Sequence, residues 1–368
     1  ASTSGCTPLL AFCPADPALP RTWNAPQVGQ FLEVPADPQW SALAAADLEG
    51  DQESEVLALG DASGSPLRFV RWQSGAFVTV PNPVLGLPTT QQDASLLQVI
   101  TAARQPGATP GSDGIPGVLL LHQERVDGFL QPRLSTLLVQ GGVTPLESPQ
   151  VQRALPGEVL ALAPGRFLDP AGPTDDLVVA APGSVQLLRN DGLGELTPEA
   201  QRSVPGLLPS TVVTADVPTL SGPTPAAAWL RQDPADGSVR LEVWLPASDT
   251  LVVAGDAGGT DLRSLLPVNL QGLVVAPQSR VVGADVDLDG AGDLVVLLRF
   301  DGLADPGEGD GVLLICRGVS GGSQPLFATP ATGLAIHGRS ADVVAGEFTR
   351  EKADPNDPDH LELMVAVL

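Results

Sequence analysis

Tyrosine is absent from this 368-residue chain, and lysine (Lys352 alone), methionine (one), histidine (three) and cysteine (three) are scarce. The missing phenol excludes lyase and hydrolase mechanisms that use a tyrosine as acid or base. His122, His337 and His360 stand singly. With no H-E-x-x-H, no G-x-S-x-G and no phosphate loop, the chain lacks the usual marks of zinc hydrolysis, serine nucleophiles and nucleotide chemistry. Long apolar runs are missing too: LVVLL at 294–298 stops at Arg299, well short of the about eighteen residues of a membrane-spanning helix. Positive charge is sparse, with 19 Lys and Arg against 43 Asp and Glu and a formal net charge of −24. Phosphate backbones and anionic lipid repel such a polyanion, which excludes nucleic acid as a partner. What the chain has in quantity is turn-formers and apolar residues. Its 40 Gly and 37 Pro argue for many short strands over long helices, and 43% apolar residues can bury a core.

Residues 1–21 form a Pro-containing leader with two of the cysteines, Cys6 and Cys13. The loop CTPLLAFC suits a disulfide in an oxidising compartment. Ser4-Gly5-Cys6 also resembles the end of a bacterial lipobox, which leaves lipidation of Cys6 as the alternative. Cys316, inside VLLIC, reads as a small buried thiol. A chain opening on Ala1-Ser2 without a signal sequence has the look of a processed one. One Lys against eighteen Arg suggests the coding bias of a GC-rich bacterial genome.

Internal repetition organises residues 22–368. The clearest unit is VVGADVDLDGAGDLVVLL at 281–298: an apolar strand, an Asp-rich loop and a second apolar strand. LAAADLEGDQESEVLALG at 43–60 has the same layout, and 160–181 keeps the flanks around a longer loop. Segments 212–230 and 342–367 keep the flanks and lose much of the acidic spacing, and 100–121 is recognisable mainly by position. Each unit but the last is followed by a second strand pair, as in 67–80, 184–199 and 312–327. Asn190-Asp191-Gly192 suits the turn of such a pair because these residues accept positive φ. Equivalent points near Asp47, Ala102, Arg166, Asp216, Asp285 and Glu347 fall about 50–70 residues apart, a period suited to a four-stranded blade. The expectation is an all-β chain forming one β-propeller of six blades, each of four antiparallel strands. The hairpin-like TWNAPQVGQFLEVP at 22–35 would complete the C-terminal blade, close the ring and remove its free edges. Seven blades is the alternative, because 251–271 is longer than a connector requires.

In DVDLDGAGD the acids Asp285, Asp287, Asp289 and Asp293 hold loop positions one, three, five and nine. Alternate residues of a curling loop point the same way, so the first three carboxylates converge while Val286 and Leu288 turn to apolar neighbours. Gly290 supplies the sharp bend, the Ala291 carbonyl turns inwards and Asp293 closes the cage. An all-oxygen set without His or Cys selects a hard cation of Ca2+ size over zinc. Asp47, Glu49, Asp51 and Glu55 repeat the spacing without the glycine and form a second candidate site. Asp169 with Asp176, and Glu347 with Asp354 and Asp359, have broken spacing and read as plain turns.

These repeats resemble the FG-GAP or VCBS family, whose units carry a D-x-D-x-D-G-x-x-D-L loop. Asp285 to Leu294 matches that motif at every ligand position, and DDLVVAAPGSVQLL at 175–188 is similar to another of its segments. The resemblance implies an integrin-α-like β-propeller with Ca2+ at the blade loops, in a secreted or cell-surface protein that binds partners or carbohydrate; the lipobox-like Ser4-Gly5-Cys6 adds a lipid-anchored location, and a periplasmic one is a further variant. The corresponding expectation is a non-enzymatic adhesion or scaffold module whose partner is another extracellular protein or a glycan, with homo-oligomeric or surface assembly left open. A lectin-like binder is the alternative. Trp72, Trp229 and Trp244 lie in strand patterns, however, and fit core packing better than exposed sugar platforms.

Overall fold

The computed structural model describes residues 151–336, apart from 156–157, 194, 220–221, 256–258, 267, 269, 287–290, 302–310, 320–326 and 329–333, together with the strands 40–46, 55–60, 67–73, 76–80, 96–103, 115–126, 129–138, 340–346 and 362–367. The leader, Cys6, Cys13 and the 22–35 hairpin lie outside the described residues.

All pairing among the named strands is antiparallel, and each sheet follows chain order. The first sheet contains Trp40–Ala46 (β1), Glu55–Gly60 (β2), Leu67–Gln73 (β3) and Ala76–Val80 (β4). The second contains Leu96–Ala103 (β5), Ile115–Val126 (β6), Phe129–Leu138 (β7) and Val151–Ala154 (β8). The third contains Ala161–Gly165 (β9), Asp176–Ala181 (β10), Ser184–Asn190 (β11) and Leu196–Ser203 (β12). The fourth contains Leu207–Thr219 (β13), Gly222–Gln232 (β14), Val239–Leu245 (β15) and Thr250–Val253 (β16). In the fifth, Val274–Val275 (β17) and Arg280–Ala284 (β18) both pair with Asp293–Asp301 (β19), followed by Gly311–Cys316 (β20) and Leu334–Ile336 (β21). The sixth pairs Ser340–Gly346 (β22) with Glu362–Val367 (β23). The chain is thus all-β with four-stranded antiparallel sheets, as the sequence leads one to expect.

The second to sixth sheets stack face to face in chain order, and strand alternation explains how. Leu177 and Val179 of β10 pack with Leu119, Leu121 and Leu134 of the second sheet, while Val178 and Ala180 pack with Ala227, Trp229 and Trp244 of the fourth. Leu294, Val296 and Leu298 of β19 face the fourth sheet, and Val295 and Leu297 face Val343 of the sixth. A sheet covered on both faces needs apolar residues at consecutive positions, which is why these strands read DLVVAA and DLVVLL instead of alternating.

The first strands of successive sheets meet one another: β1 touches β5, β5 touches β9, β9 touches β13, β13 touches β18 and β18 touches β22. Small residues allow this approach. A Cβ on Gly165 would lie 2.7 Å from Thr214 Cγ2, and one on Gly283 would lie 2.9 Å from the Thr214 carbonyl oxygen. Thr214 Oγ1 donates to the Pro164 carbonyl across the same seam.

Two stretches singled out in the sequence are only partly strand. Of the strand pair expected at 312–327, β20 supplies the first strand and an antiparallel bridge joins Gly318 to Phe327, while 320–326 lie outside the described residues and β21 begins at Leu334. In 251–271, the stretch behind the seven-blade alternative, Thr250–Val253 is the outer strand of the fourth sheet and Leu262–Leu265 is a 3-10 turn packed on β15. Asp261 caps that turn, its Oδ1 accepting from the backbone N–H of Arg263 and Val239. Among the described residues of the β11–β12 turn, Gly192 takes positive φ, at +83°. Asn190 and Asp191 act through their side chains, accepting the N–H groups of Gly192, Leu193 and Glu195. No helix among the described residues is long and apolar enough to cross a membrane.

Candidate functional site

The pair Ala284 and Asp293 ends the β18–β19 ladder, so residues 285–292 form the connecting loop. Asp285 is half-buried and Val286 packs beside Val295 and Val343, the inward turn expected of a residue between two acids. Asp287, Leu288, Asp289 and Gly290 lie outside the described residues. Ala291 and Asp293 are each 1% exposed. The Asp293 carboxylate is bound at both ends: Oδ2 accepts the Val286 N–H at 2.8 Å, and Oδ1 accepts the Gly318 N–H at 2.7 Å. Hydrogen bonds to an ionised acceptor are about twice as strong as neutral ones, so the acid ties the entry of its own loop to the segment following β20.

The loop exit is equally constrained. A Cβ on Gly292 would lie 2.0 Å from the carbonyl oxygen of Asp216 in β13, and one on Gly318 would lie 2.4 Å from the carbonyl oxygen of Gly292. Only glycine fits at either place. Cys316 lies close by, its thiol pushed up to about 12 by burial and then by the Asp293 charge. It is a covered, protonated thiol, as its apolar sequence context predicts.

The third sheet repeats the arrangement around Asp176, which is 6% exposed. Its Oδ2 accepts the Leu168 N–H at 2.9 Å and its Oδ1 accepts the Asn190 N–H at 3.0 Å. Asp176 stands opposite Gly165 as Asp293 stands opposite Ala284. Burial pushes the Asp176 carboxyl up, while the two amides and Arg189 pull it down. Around it, Asn190 Nδ2 donates to the Asp175 carbonyl at 3.0 Å, and Arg166 reaches Asp175 at 3.8 Å.

The same register holds Glu55 at the start of β2 opposite Ala46, and Glu362 at the start of β23 opposite Gly346. Asp47, Glu49 and Asp51 lie outside the described residues. Glu362, Gly318 and Asn190 were missed as parts of this pattern. An acid at the first residue of the second strand is a readable signal, whereas a backbone amide donor carries no residue-type signature.

The donors at 285–293 are carboxylates and backbone carbonyls, a set suited to a hard cation. Among the described residues, no three His, Cys, Asp or Glu side chains gather into one group. Trp229 and Trp244 are 0% and 1% exposed, within the seam between the third and fourth sheets.

No family model and no curated protein matches the chain. Among solved structures it is similar to a crystal structure of BBS1N in complex with ARL6DN, soaked with mercury, at 10% identity and a TM-score of 0.32, over 71% of this chain and 89% of that chain.

Proposed function

We propose that the chain is an FG-GAP-like, Ca2+-binding β-propeller of six blades that serves as a non-enzymatic interaction or scaffold module outside the cell or on its surface. The carrying observation is the series of strand contacts from β1 to β5 to β9 to β13 to β18 to β22, with the second to sixth sheets packed face to face. A ring of blades supplies that succession, and the 22–35 hairpin closes it by pairing with the sixth sheet.

The cation belongs to the 285–293 loop, held by Asp285, Asp287, Asp289, the Ala291 carbonyl and Asp293, with Asp47, Glu49, Asp51 and Glu55 as the second loop. A bound cation there supplies positive charge that holds converging carboxylates together. The protein's own part is to fix the loop ends, which the Val286 amide and the close approach of Gly292 to Asp216 support. The partner is an extracellular protein engaged by the loops. The lectin alternative has less support, since Trp229 and Trp244 are enclosed and offer no face to a sugar.

Calorimetry with Ca2+ on chelator-treated protein is the test. Binding tighter than millimolar that falls away in Asp285→Ala supports the reading, and no such binding overturns it.

A further inference from the structure

We infer that Ser210 is a latch between two side-chain-pinned bulges, one in the fourth sheet and one in the fifth, so that the two bulges open as one unit. The inference stands apart from the Ca2+ reading.

Both sheets interrupt their first strand in the same way. In β13 the ladder with β14 passes from Leu208 opposite Leu230 to Val213 opposite Ala228, which leaves residues 209–212 facing Trp229 alone. In the fifth sheet it passes from Val275 opposite Phe300 to Arg280 opposite Leu297, with 276–279 lying between β17 and β18. Each interruption carries a Pro-x-Ser/Thr sequence, Pro209-Ser210-Thr211 and Pro277-Gln278-Ser279. A proline offers a ladder no N–H and is tolerated where a strand bulges. Two residues on, a hydroxyl takes over the pairing that the bulge gives up. Thr211 Oγ1 donates to the Leu208 carbonyl at 2.6 Å and accepts the Leu230 N–H at 2.8 Å. Ser279 Oγ donates to the Ala276 carbonyl at 2.8 Å and accepts the Arg299 N–H at 3.1 Å. Thr211 and Ser279 are both 0% exposed, so withdrawing either hydroxyl leaves a covered amide unpaired, at a cost.

Ser210 joins the two devices. Extruded from its own ladder, it donates through Oγ to the Pro277 carbonyl of the other bulge and lies 3.2 Å from the Ser279 carbonyl. Thr211, its chain neighbour, pins Leu230, and Ser279, at the far side of the contact, pins Arg299. Opening of 277–279 therefore breaks the Ser210 bond together with the Arg299 pin, and opening of 209–212 withdraws the Ser210 donor together with the Leu230 pin. Coupling of this kind is reciprocal: what loosens one bulge loosens the other by the same factor.

Native-state hydrogen exchange on the full chain tests this at the two pinned amides, Leu230 and Arg299, with Val179 of the third sheet as reference. Thr211→Val removes the pin of the fourth sheet alone. It is expected to speed exchange of the Arg299 amide in the fifth sheet by about 3–10-fold over the reference, the reach of one net hydrogen bond. In a Ser210→Ala background the same change is expected to leave Arg299 within about twofold. An Arg299 amide that Thr211→Val does not move, or moves equally with and without the Ser210 hydroxyl, overturns the coupling. If Thr211→Val does not fold, Ser210→Ala decides the matter alone. Faster exchange at both pinned amides supports the latch, whereas a change at Arg299 only, or at neither, overturns it.

Discussion

Trp229 and Trp244 meet edge to face, with ring centroids 6.4 Å apart and planes at 65°. Each indole N–H is directed to a carboxylate, Trp229 to Glu242 at 2.9 Å and Trp244 to Asp249 at 3.0 Å. Arg202 of the third sheet lies over Trp244 at 5.5 Å and also pairs with Asp249, so the indole staples two sheets. Trp244→Ala is expected to cost about 3–5 kcal/mol, the usual range for deleting a buried aromatic. Urea unfolding followed by fluorescence measures it. A loss under about 1 kcal/mol would place the ring outside the core and reopen the lectin reading.

Asp176→Asn tests the clamp that this buried carboxylate makes on the Leu168 and Asn190 amides. An amide presents one NH2 group where both carboxylate oxygens faced N–H donors, so a cost of about 1–3 kcal/mol is expected. The pH dependence has a definite sign. Burial raises the folded-state pKa of Asp176 above its unfolded value. The stability linked to its protonation is therefore fully present below the unfolded pKa and lost as pH rises through the folded one. The gap between wild type and Asp176→Asn should be widest in acid and narrow towards neutrality. Denaturant midpoints from pH 3 upward would show it, and a gap that widens towards neutrality would contradict the assignment.

Much of this fold was legible because a sheet covered on both faces writes itself as consecutive apolar residues. DLVVAA and DLVVLL announce second strands directly, and their acidic first residues mark where each ladder begins. The outer strands were less legible. Leu196–Ser203 reads LTPEAQRS and is exposed at most positions, so nothing apolar signals it, and β21 sits eighteen residues beyond the end of β20 (334 − 316). The clamp was half legible. Asp293 stands out by spacing, but its partner Gly318 lies 25 residues further on and contributes only a backbone amide. Spacing alone therefore reads Asp293 as a cation ligand, whereas the fold also uses it to join two loops.

Arg202 and Asp249 give a second acid-sensitive contact of opposite sign. The Arg202 hydrogen bond, and after it that from Trp244, holds the Asp249 carboxyl below its ordinary value. Its contribution is present above the unfolded pKa and lost as pH falls through the folded one. Because Asp249 is exposed, salt screens the pair. Arg202→Gln should flatten the acid limb of the stability profile at low ionic strength and change it little at high salt. Thermal melts at two salt concentrations would check this, and an equal effect at both would point to lost packing on Trp244 instead.

Gly283→Val probes the seam between the fourth and fifth sheets. Gly283 is replaced in a strand where β-branched residues are otherwise favourable, so local propensity alone predicts a gain. Packing predicts the reverse. A Cβ there would lie 2.9 Å from both the Ala215 Cβ and the Thr214 carbonyl oxygen, and two backbone strands offer no flexible group that could yield. Overpacking of this kind costs about 1–3 kcal/mol. Val282→Ala, one residue earlier and facing the sixth sheet, makes a matched control that removes volume from the opposite face. If the fourth and fifth sheets meet through their first strands, Gly283→Val unfolds at lower denaturant than wild type and Ala215→Gly in the same chain recovers part of the loss. Additive effects of the two changes would mean that Gly283 and Ala215 are not in contact, and the succession of sheets would be broken at that seam.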